Sequence, residues 1–322
     1  MKINELKFLP KINEYVVSEV PLAPLNRKIG FVVLRELAST AVLTTEGQTL
    51  DVEAVRAGKK SSELMSRVVL QKRKQVAPER RTGRAFNRQY GLAEEKCEYM
   101  KGMCGKCPDC LLYGFAATSG EGSQRSRILT DSAFSIRNYE QIQRTITLNA
   151  IEDTTKGGVS GSAFAEREHV RPQVFFPTIE TAVDVTYAEL IYILNNILTT
   201  TRYGAEANRQ GFVHNHLVAI VLSNTEVTSN LSITQSVFDK LVDKYGEDVT
   251  ELPLERDTLL NLTVQSIKQA SEQVFAPVTI IDGEELSEIL SELRAFLKDN
   301  KGVQEWLKQL KSDHDASLKR RS

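Results

Sequence analysis

Residues 174–223 read VFFPTIETAVDVTYAELIYILNNILTTTRYGAEANRQGFVHNHLVAIVLS, and this stretch decides the fold. Its opening is aromatic and β-branched, which suits a strand. Thr186 stands three residues before Glu189, the spacing of a capping box, in which hydroxyl and carboxylate satisfy the first free amides of a helix. Leu190, Ile191, Leu194, Ile197 and Leu198 recur at helical spacing, so a helix is expected from Thr186 until Gly204 ends it. RYGAEANRQGF (202–212) is a glycine-bounded loop, and HNHLVAIVLS (214–223) is apolar enough for a buried strand.

Upstream, KIGFVVLRELASTAVLTTEG (28–47) reads as one long strand ended by Glu46 and Gly47. Ser61 to Val76 reads as a helix with Leu64, Val68 and Gln71 on one side and basic residues opposite. PERRTGRAFNRQY (78–90) mixes turn residues with Arg and aromatics, the composition of an ordered loop. SRILTDSAFSI (126–136), RTITLNAIED (144–153) and FAEREHV (164–170) are strand-like. The last two flank the Gly-rich segment 154–162, which predicts a hairpin with a protruding end. Strand, helix, paired strands, helix, strand is the order of an α+β, ferredoxin-like sheet of the RNA-recognition type. Beyond residue 225 come three amphipathic helices: one with Val237, Phe238 and Leu241, one from Arg256 to Phe275, one with Leu286, Ile289, Leu293 and Phe296. The basic end SLKRRS is expected to fray.

With 322 residues, 41% of them hydrophobic and 26% charged, the chain is long enough to bury a sizeable core as one elaborated domain or two. No apolar run approaches the ~20 residues of a membrane helix, and the N-terminus lacks a signal-peptide pattern, so a cytoplasmic protein is expected. The net charge of −1 conceals an asymmetry. From Arg56 to Arg88 eleven Lys or Arg face two Glu, whereas from Glu226 to Asp299 fifteen Asp or Glu face six Lys or Arg. A cationic block with so few acids to pair it points to a polyanion, nucleic acid above all.

All four cysteines fall in CEYMKGMCGKCPDC (97–110). Cys97, Cys104, Cys107 and Cys110 form the four-thiolate set of a structural zinc, with Gly102, Gly105 and Pro108 turning the chain between them. The spacing also suits an iron–sulfur cluster, and the count permits two disulfides, which a reducing cytoplasm disfavours.

The long first strand, CGKCPDCLLYGFA, the hairpin GVSGSAFAEREHVRPQVFFPTIE and the TRYGAEANRQGF loop together resemble a RAMP-superfamily CRISPR protein. The nearest likeness is the Cas-seven-type (Csc group) backbone subunit of type I-D Cascade, over most of residues 1–225. The resemblance implies a modified RNA-recognition core at 1–55 and 125–225, with a thumb hairpin at about 150–170. A basic finger and zinc-binding insertion would occupy 56–124, and an acidic helical region 226–322. It implies subunits that polymerise along a crRNA as a helical filament and present it to a target DNA strand, or an RNA one. The remaining partners would be the large, Cas-five-type, Cas-six-type and small subunits. Carried over by position, RNA contacts fall to Lys28, Lys59, Lys60, Arg67, Arg80, Arg81, Arg84, Arg125, Arg127, Asn208 and Arg209. The thumb tip falls to Gly157, Gly158, Val159, Ser160 and Gly161. FVVLREL lacks the paired aromatics that stack bases in RNA-recognition modules, so base reading on the sheet is not expected.

Catalysis has weaker signals. His214 and His216 share a strand face, but no carboxylate lies near them in sequence, and hydrogen-bonded residues beside a glycine loop are the expected reading. Related type III subunits cut target RNA with an acidic residue after the first strand, which makes a metal-dependent single-strand nuclease the alternative. Glu46, Asp51, Asp131 and Asp153 would then be the carboxylates to consider. A noncatalytic protein is the expectation.

Overall fold

Ile29, Phe31 and Val33 of the first strand enter one apolar cluster while Val32 and Leu34 enter another, so this strand is covered on both sides. The computed structural model describes residues 3–99, 102–116, 123–148, 165–206, 209–246, 249 and 253–321. The chain begins with α1 (Leu9–Ile12), β1 (Lys28–Leu37), β2 (Val52–Arg56), β3 (Leu64–Leu70) and α2 (Lys72–Gln89). Next come α3 (Pro108–Tyr113), β4 (Phe115–Ala116), β5 (Ser123–Gln124), β6 (Ile128–Thr130) and β7 (Ala133–Asn138). Then follow α4 (Tyr139–Ile142), β8 (Gln143–Leu148), β9 (Ala165–Val170), β10 (Phe175–Val183) and α5 (Tyr187–Thr199). The remainder is β11 (Arg202–Tyr203), β12 (Gly211–Ser223), α6 (Asn230–Tyr245), α7 (Arg256–Ser271), β13 (Val278–Ile281), α8 (Gly283–Lys298) and α9 (Asn300–Arg321).

The central sheet runs β11-β12-β1-β10-β6, with β13 also against β12, and every pairing is antiparallel. Taking β1, α2, β6, β10, α5 and β12 in turn gives the split βαβ arrangement of the RNA-recognition core. The capping box is in place: Glu189 N–H donates to Thr186 Oγ1 at 3.3 Å, and Thr186 N–H donates to Glu189 Oε2 at 3.1 Å.

Several boundaries differ from the sequence reading. Ser61–Val76 is not a helix: β3 occupies 64–70, and α2 then runs through the segment expected as a loop. The physical reason is the inner face of α2, which is polar. Gln75, Glu79, Arg84 and Asn87 are buried on it, so no apolar stripe advertises the helix. Gly83 lets α2 approach α5 closely, since a Cβ there would stand 2.5 Å from Tyr192 Oη. The first strand stops at Leu37, and the helix after Thr186 stops at Thr199, before Gly204. The C-terminal end is the well-formed helix α9.

These differences redraw the expected domains. The 56–124 block supplies a core helix, and the 226–322 region supplies β13 to the sheet and buried residues to both main apolar clusters. On one side α5, α8 and α9 meet through Ile191, Phe296, Trp306 and Leu310. Opposite, α6 and α7 lay Val237, Phe238, Leu259 and Ile267 over Val32, Leu34 and Val221. Most of the sheet face through which RNA-recognition modules stack bases is therefore closed. Among the described residues no helix is long and apolar enough to cross a membrane.

One ionic cluster ties α9 to the core. The Glu189 carboxylate accepts from Arg127 and from His314 Nε2, the latter at 2.7 Å. Burial alone would raise its pKa, but Arg127, seconded by His314, outweighs burial and holds it well below the usual carboxylate range. A depressed carboxylate stabilises the fold above its ordinary pKa of 4.5, and that contribution is lost as pH falls. Urea denaturation at pH 7 and pH 4 should show lower stability at pH 4, with a smaller difference in a Glu189→Gln chain.

Candidate metal knuckle and nucleic-acid surface

The segment between α2 and α3 folds back on itself through reciprocal backbone hydrogen bonds of Glu98 with Gly102, each 3.1 Å. Gly102 and Gly105 hold φ of 135° and 68°, a region in which side-chain-bearing residues are strained. These turns gather the four thiols. Sγ separations are 3.8 Å for Cys97–Cys107, 3.6 Å for Cys97–Cys110 and 3.9 Å for Cys104–Cys110, and all four sulfurs lie within 4.8 Å of one another. A tetrahedron with the ~2.3 Å arms of zinc–thiolate bonds has edges of about 3.8 Å, so the sulfurs fit a single ion. Two amides support them: Cys104 N–H donates to Cys97 Sγ at 3.4 Å and Cys107 N–H to Cys104 Sγ at 3.3 Å. Among the described residues this is the one group of three or more His, Cys, Asp or Glu placed to hold a metal.

The knuckle is clamped to α2 by residues four apart on one helix face. Arg80 donates to both oxygens of Asp109, with Nη2–Oδ2 at 2.9 Å, and Arg84 Nη1 reaches Oδ2 at 3.2 Å. Arg88 donates to the Cys97 carbonyl at 2.8 Å. Asp109 itself is fully buried at the start of α3.

This clamp corrects part of the expected RNA surface. Arg80 and Arg84 are occupied by Asp109. Arg127 is occupied by Glu189. Arg67 is buried and donates to the carbonyls of Ser135, Ile136 and Ala57, and burial lowers its pKa to about 10. With its donors on three backbone carbonyls, Arg67 serves as a tie between β3, β7 and the 57–60 loop. Lys60 pairs with Asp243 at 2.7 Å on the surface, and Lys28 Nζ donates to Asn26 Oδ1 at 2.7 Å. Lys59, Arg81 and Arg125 are exposed. Asn208 and the thumb tip Gly157–Gly161 lie outside the described residues.

Of Lys59, Arg81 and Arg125, it is Arg81 that adjoins a cationic groove traced by a circuit of contacts. Arg73 of α2 faces Glu46 at 3.7 Å. The adjoining Gly47 carbonyl accepts from Arg167 of β9 at 3.4 Å, and Arg167 meets Glu206 at 2.8 Å. Glu206 also holds Arg209 at 2.5 Å, and Arg202 donates to the Gln210 carbonyl at 3.3 Å. Thr200 then returns to α2 through Thr82 at 2.7 Å, beside Arg81. Burial first and the neighbouring Arg73 second lower the Lys74 pKa, and burial and Arg84 do the same for Arg81. Crowded cations of this kind gain from a bound polyanion. Arg73, Lys74, Arg167 and Arg202 were not among the residues expected there. The run KRK (72–74) was visible in the cationic block, but its direction required the helix.

The glycine loop forms one wall. Ala205 N–H donates to the Val42 carbonyl at 2.8 Å, and Val42 N–H to the Arg209 carbonyl at 3.2 Å. Gly204 has a φ of 122°, and a Cβ on it would stand 2.4 Å from the Val42 carbonyl oxygen. The hairpin β8–β9 forms the opposite wall, its base fixed by Glu168, which accepts from Leu50 N–H and Tyr139 Oη, both at 2.7 Å.

The histidines and acids resolve differently from one another. His169 and His314 are buried. His216 Nε2 lies 2.8 Å from Glu36, a carboxylate 180 positions away in sequence, and His214 is exposed beside it. Glu46 is engaged with Arg73, the carbonyl of Asp131 accepts from Gln75 and Asn230, and Asp153 lies outside the described residues.

A family model described as Csc2 Crispr matches residues 12–307. The crystal structure of Thermofilum pendens Csc2 superposes with a TM-score of 0.54 at 18% identity, covering 92% of this chain and 99% of that one. A chain of a CRISPR RNA-guided surveillance complex, 9% identical, covers 82% of this chain and 99% of its own, at a TM-score of 0.49, too loose a match to bear on function. No curated protein sequence matches.

Proposed function

This chain belongs to the Csc2 CRISPR family, and from that premise we propose that it is the crRNA-binding backbone subunit of a type I-D interference complex. The observation that carries the reading is the family match across 12–307, and the cationic groove between α2, the glycine loop and the β8–β9 hairpin supports it. A guide-holding protein must accept every spacer sequence. Its contacts therefore go to phosphate and ribose, which locate a strand without reading it. Guanidinium groups suit this work because their planar fork engages phosphate oxygens in pairs. Bases left facing outward then supply specificity by pairing with a target strand. Repetition along the guide needs a head-to-tail contact between copies, which generates an open helix when the rotation does not close.

Zinc is our assignment for the thiol knuckle, as a structural ion that fastens α3 to α2. Cys97, Cys104, Cys107 and Cys110 complete its shell and leave no position for chemistry. We assign no strand cleavage to the subunit, since among the described residues Glu46, Asp51 and Asp131 are not gathered into a group placed to hold a metal. We place the protein in a reducing, cytoplasmic setting, where four thiols stay available to a metal.

The test is binding of a 20-nucleotide RNA across a salt series. We expect tight, sequence-indifferent binding with log affinity falling linearly in log salt at about 0.7 per phosphate contact. Replacing both Arg73 and Arg81 by Ala should lower the slope by about 1.4 and weaken all sequences alike. A chain that ignores RNA at low salt would refute the reading.

A further inference from the structure

At one end of the sheet face covered by α6 and α7, the cover stops. The side chains of β12 on that face, beyond Val218, are His216, His214 and Phe212, opposite Leu34 and Glu36 of β1. They form a ladder of rings. Phe212 and His214 meet edge to face with centroids 5.0 Å apart, and His214 and His216 follow at 5.9 Å. The Arg202 guanidinium sits 5.4 Å from the Phe212 ring centre at one end, and Glu36 holds the His216 ring at 2.8 Å at the other. His214, in the middle, is exposed.

Planar groups on a strand are ordinarily packed inward or isolated. Here three stand in file on an open sheet end, one fixed by a carboxylate and one capped by a guanidinium. The same Arg202 and the adjoining Gln210 belong to the glycine loop that walls the cationic groove. Arg202 thus stands beside the ring ladder and at the glycine loop at once, and cations set beside rings are the general design of a single-strand platform: cations track the backbone while rings stack the bases.

We propose that Phe212, His214 and His216 form a stacking ledge for bases of the single-stranded RNA held in the groove. This rests on the guide-binding reading above, and it assigns the uncovered sheet end a role in base contact that is indifferent to sequence. The ledge offers π-faces and no fixed donor or acceptor pattern on its exposed His214, so any base suits it. Its occupant is a guide nucleotide, and a target strand enters only as an alternative outcome.

The experiment compares two labelled strands of equal length, a 20-nucleotide RNA and an abasic ribose-phosphate strand, against the full-length protein at one salt concentration. The expected result is RNA bound about tenfold or more tightly than the abasic strand. His214→Ala should remove most of that preference and leave abasic binding unchanged, while His214→Phe retains the preference. His214 is exposed, so neither change is expected to disturb folding. Equal binding of both strands, unmoved by His214→Ala, would overturn the ledge and leave the groove standing. Failure of both strands to bind would overturn the groove and the ledge with it. A preference that appears only when the RNA carries a paired target strand would reassign the ledge to the target and overturn guide stacking.

Discussion

A chain carrying Cys107→Ser is expected to lose its bound metal and the folded state of residues 97–114, while the central sheet persists. Cys107 is one of the four gathered thiols, 3.8 Å from Cys97 Sγ, and it also opens α3 at that helix's N-terminal boundary. Structural zinc contributes about 10–16 kcal/mol to the folding of isolated zinc-finger peptides, far more than any other single feature of the insertion. Without it, the three remaining thiols stay crowded together with only weak S–H hydrogen bonds. The loss should spread along the clamp. Asp109 would leave Arg80 and Arg84, and Arg88 would lose the Cys97 carbonyl. Metal analysis should find one zinc per wild-type chain and none in the variant, and limited proteolysis should cut the variant first between Cys97 and Gly114. A brown chromophore with several irons per chain would replace zinc with a cluster, and a variant that keeps full zinc would refute the ligand set.

Arg35→Met should destabilise the fold by about 3–5 kcal/mol, the ordinary cost of leaving buried charge without its partner. Arg35 is 1% exposed on β1, and Glu79 of α2 and Glu180 of β10 beside it are fully buried. It lies 2.9 Å from Glu79, pairs with Glu180, and donates to Tyr203 Oη at 2.9 Å and Asn215 Oδ1 at 2.8 Å. Two acids thus share one cation. Burial, and after it the nearness of Glu79, raises the Glu180 carboxyl well above the usual range. A raised carboxyl favours folding below its ordinary pKa of 4.5 and opposes it progressively as pH rises. Removing Arg35 strengthens that trend, so the deficit measured by urea denaturation should be smallest near pH 4.5 and grow toward pH 8. Replacing Glu79 and Glu180 by Gln in the same chain should recover part of the loss. A deficit independent of pH and unrelieved by the Gln changes would mean lost packing and not stranded charge.

The same cluster explains why α2 escaped the sequence. Apolar periodicity is the strongest mark of a buried helix, and α2 buries Glu79, Arg84 and Asn87 instead, each bonded to a partner remote in sequence. Its partners are Tyr203, Asp109 and Tyr192, between 25 and 124 positions away. The density of Arg and Lys from 56 to 88 was legible, but it had two destinations. Arg80, Arg84 and Arg88 grip the knuckle, while Arg73, earlier in the helix, meets Glu46 and Arg81 is exposed.

Elements whose cause is local were readable from the chain itself. The capping box at Thr186, the strand ending at Ser223, the hairpin base and the four-thiol spacing each depend on residues a few positions apart, and each stands where the sequence placed it. What only the tertiary structure decided is which cations are free. A guanidinium looks alike in sequence whether it meets a phosphate or a buried carboxylate, and the choice is made by long-range packing. Arg67 and Arg127 went to the interior, Glu36 came to His216, and β13 closed onto β12, because burying polar groups requires partners and folding supplies them from anywhere in the chain.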